Sequence, residues 1–589
     1  LTEYRNPNTD PGQDNKRLLI TFLLFAVFIG ALQFFLPKPK PQPQSQQQQA
    51  TPQAQGTPAA APTASPSSST SRATAKPAAT VPVKKAETQA ETVLENDKYR
   101  VTLTNQGAVV KSWVLKKFTD NNGHELDLVN PRVAGSLGYP LSMFSYDKDL
   151  ENKINNGLYV PSATGPQSGA VTFEYSDGEL YVRKTFRPEK AYVLGLETEV
   201  TLRGQPVAAF PQWPSGLGDQ TNIASYSGGK IDWDRSGAIE HKAALSGSFF
   251  TGGRKWIVGG DTVPGPFDWA GTADQYFAAV FMPESPKDAT LVTLNAPIEV
   301  ARDASKPDDA KDKANVIGVA VGNANGPTRA RIFAGPKTVD VIESTQVRPG
   351  GPDLRGLTDW GFFGFIARPL FFWLRWTYQH WIHNWGWAIA FLTLIITMVL
   401  LPLRLSSMKS SLKMQKVQPQ MKALQEKYKR FGITDPRRAE MQKEISELYK
   451  REGVNPVGGC FPMLLQMPFL FAFYSMLANA IELRHASWLW IKDLSSPDPL
   501  HILPFIIIAL MYLSQKSMPQ GGMDPAQQKM LTWMTPIMFG FFSWSTAAGL
   551  SVYWMISTFL GYVQQIFINR SALGQQVRKA QERRSTRKR

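Results

Sequence analysis

The chain has 589 residues, 43% hydrophobic and 19% charged, with 64 Lys and Arg against 48 Asp and Glu for a net charge of +16. That length exceeds one ordinary domain, and a lone cysteine, Cys460, excludes both an intramolecular disulfide and a cysteine-cluster metal centre. Residues 404–452 hold 13 basic against 6 acidic side chains and residues 570–589 hold 8 against 1, so 14 of the 16 excess charges sit beside apolar runs, as membrane topology rather than nucleic-acid binding requires.

Residues 1–17 read as a cytosolic tail, and residues 18–36 as an apolar run behind Lys16 and Arg17. The run is too long for a signal-peptide core and no small-residue cleavage site follows, so it is expected to be an uncleaved anchor with its N-terminus in the cytosol. Residues 37–90 are almost entirely Pro, Gln, Ala, Ser and Thr, a composition that cannot bury enough apolar surface to fold. They are expected to be a tether.

From 91 to 350 the pattern changes to period-two alternation. Tyr99, Val101 and Leu103 alternate with polar residues, as do Val171, Phe173 and Tyr175, and the run Tyr192 to Leu202 is the longest. Turn clusters at Asp120-Asn121-Asn122-Gly123 and Ser176-Asp177-Gly178 separate them. An all-β sandwich of antiparallel strands is expected, outside the cytosol because it follows the anchor. His124 and His241 stand alone in it, and no nucleophile motif is present.

Residues 351–383 are dense in aromatics, with Arg368, Pro369 and Arg375 interleaved. They are expected to form an interfacial helix whose Arg and His side chains reach lipid headgroups, with Trp488 and Trp490 further on as interface anchors. His380 and His383 have metal-ligand spacing but no third ligand nearby, so the interfacial reading is preferred. Expected spans follow at 384–403, 455–480, 500–516, 529–545 and 547–568, six in all with the anchor. Between them lie a charged cytosolic hairpin at 404–454, built from helices over 406–430 and 434–451 with Asp435 as an N-cap, a Met-rich cytosolic loop at 517–528 and a basic cytosolic tail at 569–589. The apolar stretches 500–515 and 530–544 are only about 15 residues each, roughly 22–24 Å of helix, short of a bilayer about 30 Å thick.

The span at 455–480 carries Pro462, Gln466 and Pro468, whose freed carbonyls and amide lipid alone cannot satisfy. Thr393, Thr397, Ser514, Gln515, Ser551, Ser557, Gln564 and Gln565 add further uncharged polar groups, while no Asp, Glu or His lies mid-span. That excludes the proton relay of an ordinary secondary transporter. For each Ser or Thr alone, bonding to its own helix is the plainer role; together they suggest a wet, shallow recess that lowers the cost of moving polar segments across lipid.

NWGWAI at 384–389, LPLR at 401–404, EGVNPVGGCFPMLLQMP at 452–468, the Asp524-Pro525 and Gln527-Gln528-Lys529 cluster, AGLSVYW at 548–554 and Gln564-Gln565 together resemble the YidC membrane protein insertase family. The resemblance covers about residues 360–570, and the tether and β domain resemble its Gram-negative type, with a supersandwich-like periplasmic domain. It implies a non-enzymatic, cofactor-free inner-membrane insertase and chaperone whose five-helix core forms a hydrophilic groove for nascent membrane proteins. The implied partners are the Sec translocon and its accessory subunits, ribosomes, signal-recognition targeting factors and anionic lipid. Groove or core positions of the family fall on Thr393, Gln466, Tyr553 and Trp554. Its usual groove arginine falls on Thr397, with Arg404 two turns along at the cytosolic edge. Partner contact is implied for Lys516, Met518, Met523, Arg578, Arg583 and Arg584. A non-catalytic assembly subunit of the Sec complex, and a channel or transporter, are the other readings.

Overall fold

The computed structural model describes residues 81–164, 169–221, 223–246, 255–256, 260–301, 311–428, 435, 437–453, 461–517, 525–572 and 575, all within one compact unit, Pro77–Arg589. The anchor and nearly all of the tether lie outside them.

Among the described residues, the β domain is built on a ten-stranded antiparallel sheet. Its path runs from Ala238–Ala243 through Lys230–Arg235, Trp269–Ala273, Phe277–Pro283, Thr328–Pro336, Val193–Leu202, Leu180–Pro188 and Ala170–Ser176 to Val160–Thr164, with Gln205–Pro206 alongside. A five-stranded sheet, from Thr262–Pro264 through Ala289–Ala301, Lys311–Asn323 and Phe210–Trp213 to Ser142–Phe144, packs on it through Lys311–Asn323. A four-stranded sheet spans Glu91 to Asp127.

The alternation holds where one face is covered, as at Tyr99–Thr104, where every second residue is buried. It fails in the middle of the sandwich. Phe277–Pro283 and Trp269–Ala273 are buried along their whole length, because sheet covers one face and further packing the other, so their sequences read as continuous apolar runs. The turn clusters fall where the spacing places them, and Gly123 and Gly178 take φ values of 87° and 101° that suit glycine.

Lys184 is wholly buried beneath this core, with its Nζ donating to the carbonyls of Gly107, Leu141 and Ala108 at 2.7, 3.0 and 3.2 Å. The alternation of Leu180, Val182, Lys184 and Phe186 puts this lysine on the inward face, against the ordinary preference of lysine for water.

Among the described residues, α1 Val339–Ser344 closes the β domain and eight α-helices follow it, α2 Gly364–His380, α3 Trp385–Val399, α4 Leu401–Tyr428, α5 Arg437–Arg451, α6 Phe461–Asn479, α7 Ile502–Ser517, α8 Pro525–Ser545 and α9 Ala548–Arg570. Helices α2, α3, α6, α7 and α9 share one buried apolar cluster; α8 packs on α7. Among the described residues no helix is long and apolar enough to cross a membrane. Helices α3 and α7 have only 15 and 16 residues; α8, expected to be as short, instead runs on to 21 because Pro525 starts it ahead of the apolar stretch, and α8 and α9, at 21 and 23, are diluted by Gln, Ser and Thr.

Three local expectations are corrected. The break after α3 falls at Leu400, so the first hairpin helix starts at Leu401, with Pro402 in its first turn. Arg368 and Arg375 do not extend toward headgroups: Arg368 pairs with Glu343 at 2.5 Å and Arg375 chelates Asp340, because those acids lie one turn apart on α1. Trp488 is 4% exposed and belongs to the bundle core rather than an interface belt.

The hairpin packs through a thin apolar seam of Val417, Met421 and Leu448, with Lys427 and Tyr428 bonded to Glu444. Asp435 accepts from the Arg437 backbone at 3.0 Å, as a cap should.

Burial pushes the Lys184 pKa down to about 7, against about 10.4 in an unfolded chain. Between those values the unfolded state binds more protons, so Lys184 makes stability rise with pH. Lys184→Met is expected to remove that rise and to cost about 1–3 kcal/mol through carbonyls left without a donor, with a deficit that grows from about pH 7 to about pH 9. Thermal melts of the detergent-solubilised chain at both pH values check this; a deficit that shrinks with pH would contradict it.

Candidate functional site

The helical bundle is closed at one end by the loop between α6 and α7, and two sequence motifs exist to receive it. Gly386 of NWGWAI lies directly under the Trp488 indole, where a Cβ would come within 2.2 Å of the ring. Asn384 caps α3 by accepting from Trp387 N at 3.2 Å and donates to the Ser487 carbonyl at 3.0 Å. At the start of α9, the first two N–H groups, which no helical carbonyl can reach, donate to loop carbonyls. Ala548 N bonds Ser496 O and Gly549 N bonds Leu494 O, both at 2.8 Å.

Two loop aspartates hold this closure. Asp498, buried, accepts from Leu503 N at 2.7 Å at the head of α7 and from the Trp490 indole at 3.0 Å. Asp493 accepts from His485 N, Ser495 N, Ser495 Oγ and Ser496 Oγ. The loop also meets the β domain, where Arg484 donates to Thr119 O at 2.6 Å and His485 Nδ1 lies 3.1 Å from Thr119 Oγ1, and beside it Gln275 donates to Ala478 O in the last turn of α6. Sequence reasoning missed these residues, since scattered loop acids and histidines carry no periodic signal; Gly386 between two tryptophans was the available clue.

Inside the bundle the polar groups look inward. Thr393 and Thr397 are 1% and 5% exposed on the buried face of α3, in step with Gly386 and Ile389. Thr393 Oγ1 donates to Ile389 O at 2.7 Å, the local bond expected of a helical threonine. Ser543 and Ser551 are buried with their hydroxyls 2.7 Å apart, joining α8 to α9 across their tight turn. The outer surface is the reverse. Phe541 is 80% exposed, and Trp533, Met534, Ile537 and Met538 share its exposed stretch of α8.

Of the residues matched to groove or core positions, Tyr553 stacks on Phe473 of α6 with centroids 4.1 Å apart, and Trp554 packs against Phe539 and Phe542. The structure thus brings Thr393, Thr397 and Tyr553 onto helices packed against each other, with Tyr553 and Trp554 making aromatic packing contacts. Lys516 is exposed in the last turn of α7. The side chains of Arg404 and Gln466, and residues Met518, Met523, Arg578, Arg583 and Arg584, lie outside the described residues. His380 is turned back to Trp376 O at 3.0 Å and stacks on that indole. No cluster of metal-ligand side chains occurs among the described residues.

A β-sandwich domain followed by a helical bundle with apolar side chains exposed on its outside and hydroxyls buried in its apolar core defines a two-part architecture. Residues 91–374 match the family model described as YidC periplasmic domain, and residues 376–575 the model described as 60Kd inner membrane protein. The membrane protein insertase YidC of Syntrophus aciditrophicus is 31% identical over 597 residues, covering 95% of this chain and all of the relative. That of Geobacter metallireducens is 31% identical over 578 residues, covering 94% and 98%. A crystal structure of active YidC insertase with its first transmembrane domain resolved covers 83% of this chain and 95% of its own, at 16% identity and a TM-score of 0.34. The chain belongs to the YidC membrane protein insertase family.

Gly386→Val is expected to force the Trp488 indole out of the bundle end and to destabilise the chain by about 1–3 kcal/mol. Adding Trp488→Ala should recover part of the loss. Melting temperatures in detergent check this pair; no coupling between the two substitutions would place the indole elsewhere.

Proposed function

We propose that the chain is a membrane protein insertase of the inner membrane that passes nascent membrane proteins through a hydrated recess into lipid. It makes no covalent bond and is not an enzyme. The observation that carries this reading is an apolar outer surface around a bundle whose apolar core also encloses hydroxyls and amides: Thr393, Thr397, Ser543, Ser551, Ser557 and Gln565 are buried while Phe541, Phe567 and Val399 are among the most exposed side chains. Exposed apolar area on that scale suits a lipid solvent, and inward hydroxyls and amides offer weak, exchangeable hydrogen bonds to a polar segment in transit.

In this reading α3, α6, α7, α8 and α9 are the five core spans and residues 18–36 the first. Their modest length and hydropathy then have a use. At 1.5 Å per residue α3 and α7 reach about 22–24 Å, so the bilayer thins around them. A thinner, wetter path lowers the barrier for a short polar tail with no fuel. Helices α4 and α5, the 517–528 connection with Lys516, Met518 and Met523, and the tail with Arg578, Arg583 and Arg584 face the cytosol. There they meet ribosomes, targeting factors and anionic lipid, and the chain works alone or beside the Sec translocon. The β domain lies in the periplasm, and both termini in the cytosol.

The groove position occupied by Thr397 carries no cation, and hydration with short spans replaces it. The test is protease protection of a small single-span protein made on ribosomes with liposomes containing only this chain. Insertion above empty liposomes, without nucleotide or ion gradient, is expected; insertion only when a Sec translocon is added would favour an assembly subunit. If hydration suffices, Thr397→Arg should leave insertion of clients with acidic tails within about twofold, or about 0.4 kcal/mol, of the parent. A gain of about tenfold would show that a buried charge is needed after all.

A further inference from the structure

At the end of α9 a directional chain of amides runs to α7. Asn569 donates its Nδ2 to the Ser517 carbonyl at 2.9 Å, and Gln565 donates its Nε2 to Asn569 Oδ1 at 2.8 Å. Ser517 O only accepts, so Asn569 must present its NH2 there, which leaves Oδ1 toward Gln565 and fixes that amide in turn. Gln565 is 1% exposed, and its Oε1 is buried with no hydrogen-bond partner among the described residues. A buried acceptor left unpaired costs about 1–3 kcal/mol, so the amide holds this orientation for the bond it makes to Asn569. Ser517 is the last residue of α7, where the chain begins its connection to α8.

We infer that Asn569 is a positioning residue that fixes the C-terminal turn of α7 against α9, and thereby the root of the connection that follows Ser517, for client insertion. This rests on the insertase reading. The charged side chains flanking the relay are Lys516 on α7 and Arg570 on α9, both exposed.

Asn569→Asp tests it. An ionised carboxylate cannot donate to Ser517 O, whereas a protonated carboxyl can donate there and still accept from Gln565. Gln565→Glu fails and recovers in the same way. Two readouts are taken at about pH 8 and about pH 5, on either side of the raised value that burial among uncharged groups gives a carboxyl. The first is client insertion into liposomes, relative to the parent at the same pH. The second, which needs no client, is the alkylation rate of Lys516→Cys in a Cys460→Ala background, relative to that cysteine beside intact Asn569.

Insertion severalfold below the parent at the higher pH and near it at the lower, with alkylation severalfold faster only at the higher, is the expected result. Both variants matching the parent at both pH values, or both failing to fold at the lower pH where the donors are restored, overturns the role of Asn569. A parent that inserts nothing while alkylation keeps its pH pattern would sink the insertase reading and leave the relay standing.

Discussion

The bundle depends on one constraint: polar groups turned inward must find their partners within the protein, since the outer surface is apolar. The solutions are short and local. Thr393 returns its proton to Ile389 O, Ser543 and Ser551 bond each other across a tight turn, and Gln565 and Asn569 pass a donor to Ser517 O. Each is a neutral bond of about 0.5–1.5 kcal/mol net. Such bonds specify how helices register without locking charge inside, as buried ion pairs would.

The end-closing loop obeys the same constraint with stronger acceptors. Asp493 collects N–H and O–H donors within the loop itself, and Asp498 takes the Leu503 N–H at the head of α7 together with the Trp490 indole. Charge-assisted bonds to a carboxylate are roughly twice as strong as neutral ones, which suits a loop that has to hold Trp488 down on Gly386. Through Arg484 and His485 the same loop is bonded to the β domain, with Gln275 bonded to the end of α6 beside it, and the pairs Arg368–Glu343 and Arg375–Asp340 fasten α2 to α1. The β domain is therefore attached to the bundle at two places, one on the loop and one along α2.

Much of this was legible in the sequence because it follows from periodicity. Alternation marks the sheet strands with one covered face, turn clusters mark their ends, and apolar runs mark α3, α6, α7, α8 and α9. Strands buried on both faces, such as Phe277–Pro283, lose the alternation, and Lys184 breaks the rule that lysines face water, because three carbonyls converge on it from distant parts of the chain. The aromatic stretch before α3 misled in a different way. Its arginines look free in sequence, and the acids that bind them on α1 lie 25 and 35 residues away.

The sequence by itself determined the family, through motifs in fixed order, and the division into β domain and helices, through the switch from period two to long apolar runs. It also determined that the apolar helices α3, α6, α7, α8 and α9 contain hydroxyls and amides and no acids. Only the tertiary structure decided what those groups do: that Gly386 is small because Trp488 rests on it, that Tyr553 stacks on Phe473, and that Asn569 holds Ser517. The physical reason is that hydrogen bonds and close packing act over about 3–4 Å, between residues whose separation along the chain carries no periodic trace.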